Sequence, residues 1–151
     1  MLPVFVFTFI TMIAFASNSI FARLALLDGA IDAICSDHAP VDDDAKLLPF
    51  GQAEMGATGV ELLLPLTLKW GLEMQLSLQK ILANITYKPA QLLGVDAGHV
   101  SVGSVADLCV FDPKHYWQVT PSAILSQGKN TPFLNMELPG EIKYTLVNGH
   151  V

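Results

Sequence analysis

The alternation of apolar and polar positions divides the chain into a helical first part and a strand-rich tail. The run 22–29, ARLALLDG, has helical spacing and closes at Asp28-Gly29, where glycine fits a helix C-terminus. IDAICS, residues 31–36, is short and mostly apolar with two isoleucines, which predicts a buried strand. A long polar loop follows over 37–59, with two prolines and three glycines. Loops of that length inside compact domains are usually functional. Residues 59–74, GVELLLPLTLKWGLEM, are apolar on most sides and predict a buried helix, with Pro65 kinking it or marking its first turn. SLQKILANIT (77–86) predicts a helix capped by Ser77, with Leu78, Ile81, Leu82 and Ile85 on one face. KPAQLLG (88–94) predicts a short helix, with Pro89 near its start and Gly94 at its end.

The period changes near Gly98. HVSVGSVADLCVFDP (99–113) alternates and then runs apolar, which predicts a hairpin turning near Gly103-Ser104. YWQVT (116–120) is a further strand candidate. IKYTLVNGHV (142–151) predicts a strand, an Asn148-Gly149 turn and the start of a second strand that stops at Val151, as a trimmed terminus would.

The first 22 residues carry no charged side chain; Arg23 is the first. Such a run is long enough for a membrane span. It also contains Ala14-Phe15-Ala16, a small-x-small cleavage pattern, although no Lys or Arg precedes it. Residues 12–32, MIAFASNSIFARLALLDGAID, resemble the first membrane helix of EamA-type transporters. The favoured expectation is a hydrophobic leader over 1–30 joined to an unrelated body, with a transmembrane helix or a signal peptide as the alternatives.

Composition narrows the function. The 151 residues are 52% hydrophobic and 15% charged, with a net charge of -6. That apolar content argues against disorder. The acidic balance argues against nucleic-acid binding, which needs a basic face to displace phosphate counterions. The length is too small for a complete (β/α)₈ barrel, which takes about 250 residues. Cys35 and Cys109 are far apart in apolar runs and read as small buried hydrophobes rather than a redox or zinc pair.

Asp37 is the leading chemical candidate, because it directly follows the predicted strand 31–36. In β/α barrels the C-terminal rim of the strands carries the catalytic groups. Position alone leaves open a cap on the loop or on the next helix. Strand alternation keeps His38 from facing the same centre without a bend, which favours a structural His38. Asp42, Asp43 and Asp44 lack the spaced ligands of a calcium loop and read as a solvated loop or an acidic helix start. His99, His115 and His150 are isolated, and no HxH or HExxH pair occurs. A catalytic zinc needs about three protein ligands, so the chain should not build one alone. Gly51, Gly56 and Gly59 are wrongly spaced for a phosphate cradle, and no GxSxG or Walker motif is present.

The runs IDAICSDHAP, LLPF, GATGVELLLPL, NITYKPAQLLGV, GSVADLCVFDP, SQGKNTPF and YTLVNGHV occur in that order. Together they resemble the C-terminal portion of the dihydroorotases, cyclic amidohydrolases of the amidohydrolase superfamily, over residues 31–151. The resemblance implies an α/β fold: part of a (β/α)₈ TIM-type barrel over 31–97, with 31–36 as its last strand. Residues 98–151 would then belong to a small composite β-sandwich. It implies zinc as the family's metal, a small-molecule substrate, and ring opening of dihydroorotate to N-carbamoyl-aspartate in pyrimidine biosynthesis. Asp37 is then the catalytic acid/base at the metal centre. It would take a proton from a metal-activated hydroxide and pass it to the leaving nitrogen. As a metal ligand, Asp37 would act only with residues this chain lacks. Met55 and Gly56 occupy the place where the family's loop backbone contacts substrate.

The chain departs from the family pattern at three points. Val41 stands where DHAPH relatives carry a histidine for the substrate carboxylate, and valine cannot supply that hydrogen bond. Met55 stands where relatives often have Pro. The HxH metal pair is absent. DHAPVDDDAKLLPF looks like a dihydroorotase-like branch that includes silent subunits paired with aspartate carbamoyltransferase. The expectation is therefore a cytoplasmic fragment that binds no zinc alone, is inactive alone, and aggregates unless the missing part or a partner covers it. Membrane contact through residues 1–22 is the alternative.

Overall fold

The computed structural model describes residues 32–151. The predicted leader over 1–30, its EamA-type resemblance, the 22–29 helix and the Asp28-Gly29 cap lie outside the described residues. Residues Ile34–Val151 form one compact unit.

Chain order within that unit runs α1 (Asp43–Lys46), a 3₁₀ turn (Val60–Leu62), α2 (Leu63–Glu73), α3 (Leu78–Ala83), α4 (Tyr87–Leu93), β1 (Leu108–Gln118) and β2 (Glu137–Leu146). The acidic run starts α1: Asp42 is its N-cap, and Asp43 and Asp44 lie in the first turn, where negative charge complements the helix dipole. Pro65 occupies the first turn of α2, where its missing N–H costs little. Ser77 sits at the N-cap of α3 with extended backbone, although its hydroxyl makes no capping bond. Gly94 ends α4 in the left-handed conformation at φ 67. Val95 N–H then reaches back to Ala90 O at 3.0 Å.

β1 and β2 pair antiparallel from Leu108↔Leu146 to Gln118↔Glu137, with irregularities between Val110 and Phe111 and between Asp112 and Tyr116. Pro113, which cannot donate to a ladder, falls inside the second irregularity, where Lys114 N–H turns to the Asp112 carboxylate at 2.9 Å. The Asn148-Gly149 turn forms as its sequence predicts. Both residues have positive φ, 51 and 79, and Val147 pairs with His150.

Leu62, Val119, Ile124 and Leu138 are buried together, with Leu66, Trp117, Phe133 and Met136 packed against them. The core thus lies where the 3₁₀ turn and α2 meet the connected end of the β1–β2 pair and the 119–136 connection. Gly140 makes that contact close. Its φ is 97, and a Cβ there would lie 2.5 Å from Leu68 Cδ1.

Three expectations are corrected. Residues 32–36 form no strand, because Ile34 N–H donates to Asn84 O (2.9 Å) rather than to a neighbouring strand. A parallel barrel strand exists only between neighbours, and the only sheet among the described residues is β1–β2. The 99–113 hairpin is also not found. Ser104 N–H does turn back to Ser101 O at 3.2 Å, but residues 98–107 join no ladder. Val100, Val102 and Val105 face solvent, so no apolar layer favours strand pairing there. The ladder instead starts at Leu108 and takes Tyr116–Gln118 into the same strand. Finally, Cys35 and Cys109 are exposed rather than buried. Cys109 lies opposite Thr145 on the sheet, where partial shielding pushes its thiol pKa upward.

Candidate functional site

Asp37 stands at a bend rather than at a straight strand end. Its φ of 46 is left-handed, a region that Asp and Asn tolerate better than most residues. The side chain is exposed, and its carboxylate makes no hydrogen bond among the described residues. The bend reorients His38, whose Nδ1 accepts the N–H groups of Gly59 (3.2 Å) and Val60 (3.3 Å). Those donors open the 3₁₀ turn and would otherwise lack partners. His38 thus ties the 3₁₀ turn to this segment through Nδ1, its direction set by the bend and not by strand alternation.

The chain after His38 lies against the 56–59 loop. Ala39 N–H donates to Ala57 O at 3.0 Å. Gly56 has φ 135, and a Cβ on it would come within 2.3 Å of Ala39 O. Only glycine fits that approach and that backbone angle. Met55 is 95% exposed, so it and Asp37 both open to solvent.

A second layer comes from the tail, some seventy residues away in sequence. Thr58 is buried, its N–H donating to Asn130 O (2.8 Å) and its hydroxyl to Gly128 O (2.5 Å). Asn130 Nδ2–H donates to Gly56 O at 3.2 Å. Gly128 lies beneath the DHAP backbone, where a Cβ would sit 2.7 Å from Val41 O. Glu61 holds the same tail segment. Its Oε2 accepts Leu125 N–H (2.6 Å), and its Oε1 accepts Ser126 N–H (2.8 Å) and Ser126 Oγ–H (2.5 Å). Partial burial pushes the Glu61 carboxyl upward. The Ser126 and Leu125 hydrogen bonds and the Lys129 charge outweigh it, leaving the group below the usual carboxylate range.

These tail contacts escape reading from spacing, because no periodicity links residues so distant. The available signal was the joint occurrence of GATGVE and SQGKN among the ordered motifs.

Among the described residues no three His, Cys, Asp or Glu side chains converge as a metal site. His38 spends its Nδ1 on backbone donors, and His99 and His115 turn to Asp96 (2.8 Å) and Glu141 (3.5 Å). One exposed carboxylate does not fit a zinc site, which needs about three protein ligands. An apolar cleft of about 370 Å³ lies between Pro65, Trp117, Leu125 and Ile142. Asp37 and Met55 do not line it. No helix among the described residues is long and apolar enough to cross a membrane.

Comparison with known proteins gives a family match over residues 10–151, to the amidohydrolase family. A dihydroorotase of a Geobacter species is 42% identical over 129 residues, 85% of this chain and 30% of that protein. A dihydroorotase-like protein of Pseudomonas putida is 46% identical over 129 residues, with the same coverage. The D-hydantoinase (dihydropyrimidinase) of Thermus sp. superposes with a TM-score of 0.77 at 27% identity, over 86% of this chain and 30% of that one. The chain thus spans 30% of the length of each of these proteins. The superposition over most of the chain agrees with an α/β amidohydrolase-type segment.

Proposed function

Because the chain belongs to the amidohydrolase family, we propose that it supplies the C-terminal rim of a dihydroorotase-type cyclic-amide hydrolase. Asp37 is the proton-transfer group. The observation that carries this reading is the Asp37 carboxylate itself, exposed at a backbone bend and engaged by no partner among the described residues. A carboxylate spent on structure could not trade protons with a substrate.

In the assembled protein, Asp37 takes a proton from the water oxygen that attacks the ring amide carbon. The carbon–nitrogen bond then breaks, and the same carboxyl returns the proton to the leaving nitrogen. The edge formed by exposed Met55 and half-buried Gly56 borders the substrate. Among the described residues no set of side chains assembles a zinc site, so the zinc implied by the family resemblance would need further ligands beside Asp37. The chain alone is therefore expected to be inactive.

The test co-expresses the full chain with the N-terminal two-thirds of a dihydroorotase, adds zinc, and follows ring opening of dihydroorotate. Turnover should appear only in the combination. Asp37→Asn should lower it by about 10²–10⁴-fold, the usual contribution of a positioned acid/base. Turnover that is indifferent to the substitution would remove Asp37 from the mechanism.

Val41 favours a second reading. It is apolar and half-buried at the place where a substrate-binding histidine is expected. A silent dihydroorotase-like subunit would assemble into a stable complex without turnover, and Val41→His would be needed to gain any.

A further inference from the structure

We infer that Asn130 is a positioning residue for the substrate-facing edge, acting from the tail through the Gly56–Gly59 loop on the backbone that carries Asp37. The inference deepens the reading of Asp37 and Met55-Gly56 given above and rests on it for its functional meaning. Its geometry stands independently.

Asn130 grips the loop at two successive points. Its side-chain N–H takes Gly56 O (3.2 Å), and its backbone O takes Thr58 N–H (2.8 Å). The Gly56–Ala57 peptide plane and the Thr58 amide are thereby fixed together. Thr58, 1% exposed, adds a third point through its hydroxyl on Gly128 O. The loop also holds the DHAP backbone. Ala57 O accepts Ala39 N–H, and the Gly59 and Val60 amides donate to His38 Nδ1. Asn130 thus reaches the Asp37 segment through the loop, beside the direct approach of Gly128 to Val41 O.

The Gly56 backbone is the weak member of this arrangement, because glycine at φ 135 has no side chain to hold its own conformation. An external donor is what restricts it. Removing the Asn130 amide frees a carbonyl beside the proposed substrate edge without touching Asp37, the hairpin or the buried core.

The experiment measures amide hydrogen exchange in the full chain for wild type, Asn130→Asp and Asn130→Gln. Asn130→Asp keeps size and removes the donor. Exchange at Ala39, Thr58, Gly59 and Val60 should rise about tenfold, a local rather than global opening. Val110 and Tyr144 in the hairpin should keep their protection. Asn130→Gln keeps the amide and should recover part of the protection. In the co-expressed enzyme, Asn130→Asp should raise KM more than it lowers kcat, the reverse of Asp37→Asn. Unchanged exchange at Ala39 and Thr58, or a rise shared equally by the hairpin, would overturn the inference even if Asp37 proves essential. If Asp37→Asn leaves turnover intact while the loop amides respond as described, the catalytic reading fails and the clasp survives.

Discussion

Replacing Glu61 by Gln tests the junction between the 3₁₀ turn and the tail. Glu61 accepts two backbone N–H groups and one hydroxyl, from Leu125 and Ser126. Gln retains one acceptor oxygen and turns an N–H₂ group toward a donor, so one tail amide must find water instead. Hydrogen bonds to charged groups contribute about 1.5–3 kcal/mol where sheltered. Glu61 is only half-buried, and solvent screening brings the expected loss to about 1–2 kcal/mol. The loss must depend on pH. The folded carboxyl lies below its unfolded value, so its contribution is complete above the unfolded pKa of about 4.3 and disappears as pH falls through the folded value. Urea unfolding of the full chain, followed by the fluorescence of the core-packed Trp117, should show the variant weaker at about pH 6. The gap should close toward about pH 3. A gap that stays constant over that range, or a variant more stable than wild type at about pH 6, would refute the argument.

Other substitutions probe separate parts of the fold. Leu138→Ala removes a fully buried side chain from the cluster with Leu62, Val119 and Ile124, and should cost about 2–5 kcal/mol in denaturant unfolding. Gly140→Ala should cost more than about 1 kcal/mol, because φ 97 is strained for alanine and the new methyl meets Leu68. Gly51→Ala, with nothing within 4 Å of its Cβ, should be near neutral in the same assay. The full chain should self-associate with rising concentration in sedimentation velocity, since Leu47, Phe50, Met55 and Val100 are each more than four-fifths exposed. A concentration-independent monomer would contradict that expectation.

What the chain order revealed was mostly local. Pro65, Gly94, the Asp42–Asp44 run and Asn148-Gly149 act through backbone angles or helix dipoles within a few residues, so their neighbours suffice to read them. The failures share a different cause. Residues 31–36 carry a strand's composition, but a strand is a pairing, and the Ile34 amide bonds to the end of α3 instead of to a neighbouring strand. Residues 99–107 alternate, yet the valines face water. Asp107 spends its carboxylate on Asn148 N–H at 2.8 Å, tying this stretch to the terminal turn instead of to a strand. Cys35 and Cys109 sit among apolar neighbours along the chain but not in space. The Thr58, Glu61 and Asn130 contacts span 64 to 74 positions, and only the co-occurrence of family motifs hinted that these segments meet.

The proposed role of Asp37 is separable from the scaffold, and that separation is measurable. Its neighbours are held by the fold: His38 Nδ1 by two amides, Ala39 N–H by Ala57 O, and Val41 O in close approach to Gly128. Its own carboxylate contributes nothing to them, so stability should not register its charge. The backbone at φ 46 should register its side-chain type. Asn tolerates the left-handed region about as well as Asp, so Asp37→Asn should shift unfolding by less than about 0.5 kcal/mol. Asp37→Ala should lose about 1 kcal/mol from the backbone alone. If both substitutions destabilise equally and by more than that, the carboxylate is held by the fold and is not free for proton transfer. If Asn is silent in unfolding and abolishes turnover in the co-expressed enzyme, the group serves the reaction and not the scaffold.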